Sequence, residues 1–193
     1  MTSRHQVTAA LAQPSHTLPE TLLRNVFLVL LGTGLMALSA HVQVPFWPVK
    51  LSMQTFSVLV IATALGSRLA GLTMLTYIAQ GVVGLPVFQS GAGLAYLAGP
   101  TGGYLVGFVL SAVLMGCFVE RGWLDRWTTA IVAIAVSMAI VYVPGLLWLS
   151  ALFGAERSIG FGLMPFLTGD FLKLVLATAA LPMLRRRITR GIS

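Results

Sequence analysis

LAGLTMLTYIAQGVVGLPVFQSGAGLAYLAGPTGGYLVGFVLSAVLMGCFV, residues 69–119, carries no charged side chain in 51 positions. A membrane-spanning helix needs about 20 consecutive apolar residues, so this run exceeds two spans and must cross a bilayer twice. A soluble domain of this size could not bury it, because too little polar surface would remain to cover the core. The rest of the chain has the same character. Of 193 residues 57% are hydrophobic and 9% charged, and the mean hydropathy is +0.91. The reading is an all-α integral membrane protein of one domain.

Outward from that run, the apolar segments predict six transmembrane helices, at 25–44, 51–65, 69–83, 101–119, 127–149 and 164–184. The second and third are short for full spans. Residues 1–22 read as a cytoplasmic tail, because they are polar and hold Pro14 and Pro19 ahead of the first apolar run, unlike a cleavable signal peptide. Residues 23–184 form a single six-helix membrane domain, and residues 185–193 a basic cytoplasmic tail. Arg4, Arg24, Arg68, Arg121, Arg126, Arg185, Arg186, Arg187 and Arg190 fall on one side of this arrangement, against Lys50 and Arg157 on the other. That asymmetry marks cytoplasmic loops, so both termini are expected in the cytoplasm and the chain multi-pass in the inner (plasma) membrane. Trp47 and Trp148 then lie at the outer interface, Trp123 and Trp127 at the inner one. The formal net charge of +7 sits in short loops and a tail. It reads as a topology signal beside anionic membrane lipid, with no nucleic-acid partner.

Asp170 and Lys173 break the apolar pattern inside the last predicted helix. Charged side chains are expensive in lipid, so such residues face the protein interior, pair, and mark ligand or ion paths. At i, i+3 these two share a helix face. The alternative is a neutralised structural ion pair that holds helices together. The outer side supplies company for them. Residues 84–103 contain six glycines, two prolines and no charge. So apolar a segment is expected to fold back over the bundle as a lid or re-entrant loop. Gln54, Gln80 and Tyr142 fall at a depth similar to Asp170, with Pro144 just beyond Tyr142. A polar layer under an apolar, aromatic cover describes a closed pocket for a small amphipathic molecule.

Three segments carry a resemblance: VPFWPVKLSMQTFSVL (44–59), GLPVFQSGAGLAYLAGPTGGYLVGF (84–108) and GDFLK (169–173). In order and spacing they resemble the BioY family, biotin-specific S components of energy-coupling factor (ECF) vitamin transporters, over roughly residues 24–184. Lys50 departs from the family, which commonly has proline there. The resemblance implies high-affinity biotin binding from the outer side and delivery to the cytoplasm, with a transmembrane T component and ABC ATPases as partners. It implies that Asp170 and Lys173 bind the substrate, with Gln54, Phe88, Gln89, Ser90, Tyr96 and Tyr104 as further contacts. Docking of the T component in such systems uses small residues of the first helix, here Thr33, Ala37 and Ala40.

Biotin's chemistry suits these residues. Its ureido ring offers two N–H donors and a carbonyl, its thioether ring is apolar, and its valerate ends in a carboxylate. Asp170 can accept from the ureido N–H groups, and Lys173 can donate to the ureido carbonyl or to the carboxylate. The chain has no GxxxxGK[ST] sequence, so any nucleotide belongs to a partner. No catalytic residue, cofactor or metal is expected. Cys117 stands alone, which excludes an internal disulfide and a cysteine metal cluster. An intramembrane enzyme would need an activated nucleophile beside a base, and His41, the one histidine of the membrane region, has no accompanying motif. A self-sufficient secondary transporter for biotin or a related vitamin, with Asp170 carrying a proton, is the other reading compatible with the residues.

Overall fold

The computed structural model describes residues 18–44 and 51–190. Arg4, Pro14, Pro45, Trp47 and Lys50 lie outside the described residues. The architecture is helical almost throughout, as lipid demands, since a helix satisfies its own backbone N–H and C=O groups. In chain order the elements are α1 (Leu18–His41), β1 (Gln43–Val44), β2 (Leu51–Ser52), α2 (Gln54–Val82), α3 (Leu94–Ala98), α4 (Gly102–Glu120), a 3-10 turn (Trp123–Asp125), α5 (Trp127–Ala139), α6 (Tyr142–Phe153), α7 (Ala155–Gly162) and α8 (Met164–Arg190). The two strands form a small antiparallel ribbon that pairs Gln43 with Ser52 and Val44 with Leu51.

Among the described residues, four helical segments are long and apolar enough to cross a membrane: Pro19–His41, Gln54–Val82, Gly102–Glu120 and Trp127–Phe153. A fifth results if Ala155–Leu167 and Gly169–Thr189, bent by 42°, form one broken span. Several boundaries differ from those read in the sequence. Helix α1 starts inside the segment assigned to the tail and stops at His41, whose Nδ1 lies 2.8 Å from the Ala37 carbonyl oxygen. The ribbon takes up residues 43–44 and 51–52, so α2 begins only at Gln54. The predicted fifth helix divides at residues 140–141, where Pro144 has no N–H to offer Ile140 and the Val143 N–H bonds to Ile140 instead, at 3.3 Å. Helix α7 was not anticipated, and α8 runs on through Arg185–Arg187 to Arg190.

The second and third predicted helices are joined as α2, but the join is not straight. Gly66 has φ 76° and ψ 178°, a conformation essentially reserved for glycine. Gln54 Nε2 donates to the Tyr77 hydroxyl at 3.0 Å, although 23 residues of straight helix would separate them by about 35 Å. Residues 54–65 and 67–82 therefore form a hairpin. The Glu120 carboxylate holds its bend, accepting from Ser67 N at 2.7 Å and Ser67 Oγ at 2.8 Å.

The core is packed by Met36, Leu59, Met74, Met115, Ile134 and Leu181, while Phe27, Leu31, Leu38 and Leu72 point outward. Lipid is as apolar as leucine, so burial alone does not hold such helices together. Small polar side chains sit inside and satisfy themselves on their own helix: Thr63 Oγ1 donates to Leu59 O at 2.8 Å and Thr73 Oγ1 to Leu69 O at 2.7 Å. Between helices, Ser111 Oγ donates to Ser137 O at 2.6 Å, and Gln80 Nε2 to Thr33 Oγ1 at 3.3 Å.

Candidate binding site

Phe166, Asp170, Lys173, Ala177 and Leu181 follow one another at spacings of four and three residues, so they line one face of α8. The face points inward. Asp170 and Lys173 are buried, at 8% and 4% exposure, and Lys173 Nζ lies 3.0 Å from Asp170 Oδ1. The other carboxylate oxygen, Oδ2, accepts from the Tyr142 hydroxyl. The α5–α6 break delivers Tyr142, and two rings hold it edge-on at 6.3 Å each, Tyr104 and Phe166. Tyr104 stacks on Phe166 and ties α4 to the end of α7, its hydroxyl donating to Gly162 O at 2.8 Å.

The opposite wall comes from the α2 hairpin and the segment after it. Ser52 Oγ donates to Gln54 Oε1 at 3.1 Å, Gln54 Nε2 to the Tyr77 hydroxyl, and that hydroxyl to Val87 O at 2.9 Å. This chain of bonds anchors the glycine-rich segment to the bundle. Phe88 plugs in beside it, 1% exposed, edge-on to Tyr77 at 5.5 Å and stacked on Tyr96 at 4.7 Å. Its ring rests on Gly81, where any Cβ would overlap it. Gly93 N–H donates to Gly81 O at 2.7 Å and Trp148 Nε1 to Gly99 O at 2.9 Å, so residues 83–101 pack onto the helices as a cover.

Between these walls lies a cavity with about 690 Å³ of atom-free space, part of it open to solvent. Asp170, Lys173, Gln54, Phe88, Gln89, Tyr96 and Tyr104 all line it; Ser90 does not. Gln80 is turned away, spent on Thr33. Tyr142, read in the sequence at this depth, lines it too, and the cavity adds Tyr77 and Phe166, with Ser52, Thr55 and Thr101. Phe166 was legible from its spacing, four residues before Asp170 on the same face. Tyr77 carried no such mark, having neither a charged neighbour on its face nor a spacing that ties it to Asp170. Among the described residues no buried side-chain polar atom lacks a partner, so a polar ligand must share or exchange these bonds. Among the same residues, no three His, Cys, Asp or Glu side chains gather into a metal-ligand set.

The small residues of α1 are placed differently from the docking face read in the sequence. Thr33 and Ala40 are buried, at 2% and 0% exposure, and Ala37 is half-buried against the core. Thr33 meets α2 through Gln80. The side of α1 left open is formed by Leu31, Gly34, Leu35 and Leu38, which with Val60 and Ala64 line a shallow apolar groove.

Residues 6–190 match the BioY family. The chain is 35% identical over 147 residues to the biotin transporter BioY of Thermotoga maritima, covering 75% of this chain and 86% of that protein. It is 32% identical over 155 residues to a probable biotin transporter BioY of Pyrococcus horikoshii, covering 80% of this chain and 91% of that protein. The fold superimposes with a TM-score of 0.73, at 21% identity, on the crystal structure of the S-component for biotin from an ECF-type ABC transporter, over 86% of this chain and 93% of that one.

Proposed function

The chain belongs to the BioY family, and from that membership we propose that it binds biotin and serves as the substrate-binding subunit of an ECF-type transporter. The observation that carries this reading is the buried Asp170–Lys173 pair, oriented by Tyr142, on the wall of an aromatic-lined cavity. Biotin uptake would then need partners, a T component and ABC ATPases.

Charge decides how biotin sits. The pair is neutral as a unit, and a second carboxylate beside Asp170 would leave net negative charge in a poorly solvated layer. The ureido ring is neutral there. Its N–H groups can share the Asp170 oxygens, and its carbonyl can accept from Lys173, which uses one of three N–H donors on Asp170. The carboxylate then points to the mouth.

Six crossings are the proposed topology: α1, the two arms of the α2 hairpin, α4, α5 with α6, and α8 entered through α7. The hairpin supports this count, because one 29-residue helix becomes two opposed arms. The bend beside Ser67 and Glu120 faces the cytoplasm, together with both termini and the arginines 24, 68, 121, 126 and 185–187; the cavity opens outward.

The direct test is to purify the full chain, identify any co-purifying ligand by mass, and titrate the stripped protein with biotin. Saturable biotin binding is expected. A folded protein that does not bind biotin overturns the proposal.

A further inference from the structure

A second cleft lies far from the biotin cavity, at the bend end of the bundle. It has about 1120 Å³ of atom-free space, open on one side. Its walls are polar at one end and apolar along the rest: Asn25, Ser67 and Arg68 at the bend, then Leu72, Leu75 and Val113 leading toward mid-bundle. Helix α1 is pinned to residues 67–82 farther along, through Thr33 and Gln80, which leaves the bend end of the crevice unfilled.

Charge gives the cleft a direction. Arg68 is exposed, and among the described residues no ion pair or hydrogen bond engages it. The Glu120 carboxylate, bonded to the neighbouring residue, is committed to Ser67. In the chain Arg24 precedes Asn25 and Arg121 follows Glu120, so residues flanking the cleft are basic as well. From Arg68 to Leu75 the helix rises about 10 Å, some two-thirds of one leaflet's hydrocarbon depth of about 15 Å. A cation at headgroup level above an apolar track between helices is how membrane proteins hold an anionic lipid.

We infer that this cleft binds one anionic phospholipid, its phosphate on Arg68 and an acyl chain along Leu72, Leu75 and Val113. The proposed orientation places that lipid in the cytoplasmic leaflet, but the binding itself does not depend on sidedness or on biotin. The test uses the full chain in detergent, with phosphatidylglycerol or phosphatidylcholine of identical acyl chains, read by native mass spectrometry. One phosphatidylglycerol should stay bound under conditions that strip phosphatidylcholine. Arg68→Gln should weaken its retention about fivefold, the equivalent of the ~1 kcal/mol typical of one basic residue at a membrane surface. Leu72→Trp, which fills the cleft with Arg68 intact, should displace it, and neither variant should change biotin affinity. Equal retention of the two lipids, or unchanged phosphatidylglycerol retention in both variants, would mean ordinary annular lipid and overturn the site. Loss of biotin binding in the parent protein, with the lipid selectivity intact, would count against the transport reading alone.

Discussion

Asp170 and Lys173 are each other's nearest charge and jointly neutral, so removing either strands the other. Asp170→Asn and Lys173→Ala should each weaken biotin binding by about 1.5–3 kcal/mol, the range for hydrogen bonds to charged groups, and lower thermal stability as well. Both variants remaining folded and binding within about threefold of the parent, under about 0.7 kcal/mol, would make the pair structural. Biotin methyl ester separates the two assignments open to Lys173. If the ammonium reads the ureido carbonyl, Lys173→Ala costs the acid and the ester equally; a loss confined to the acid would place the carboxylate at Lys173 and invert the proposed pose. The sequence made the pair legible because charge inside an apolar helix is conspicuous. It could not separate Gln80 from Tyr77 as the pocket residue of residues 67–82. Both are polar-tipped and three residues apart, and only the packing of α1 shows that Gln80 is spent on Thr33.

Elements were legible wherever composition changes sharply, and obscure where the chain bends without changing composition. The apolar runs located every long helix, and the shortness of the second and third made sense once they proved to be arms of one hairpin. Pro144 stood out in the sequence beside Tyr142, but not the division of the span into α5 and α6; α7 is short and partly polar, so no apolar run announced it. The bend at Gly66 offers the sharpest test at this scale. A side chain there must occupy a backbone region that costs about 1–3 kcal/mol for other residues, and its Cβ would stand 2.8 Å from Glu120 Oε1. Gly66→Ala should therefore lower the unfolding temperature in detergent, while the folded fraction keeps parental biotin affinity, because the bend lies at the opposite end of the hairpin from Gln54. Unchanged stability would show that the reversal does not depend on this glycine. Lost affinity in folded protein would tie the bend to the pocket.

At the scale of the whole molecule, sidedness and partners must be read together. Single cysteines introduced near residues 95 and 188, with Cys117 replaced, should label oppositely from outside intact cells; equal labelling would break the six-crossing topology. Partner docking is argued from what α1 leaves uncovered. Thr33 and Ala40 face the chain's own interior, whereas a Cβ on Gly34 meets nothing within 4 Å and lies in the groove with Leu31, Leu35 and Leu38. Small residues matter at helix interfaces because they let backbones approach, so the two positions make opposite predictions. Ala37→Leu presses on the core of the isolated chain and should cost stability. Gly34→Leu should leave the isolated chain's stability and biotin affinity unchanged, because both the core and the cavity lie elsewhere. If a T component packs on this groove, Gly34→Leu should nevertheless sharply reduce its co-purification and ATP-dependent biotin uptake. Full uptake by Gly34→Leu, with the T component still bound, would move the docking surface off this side of α1.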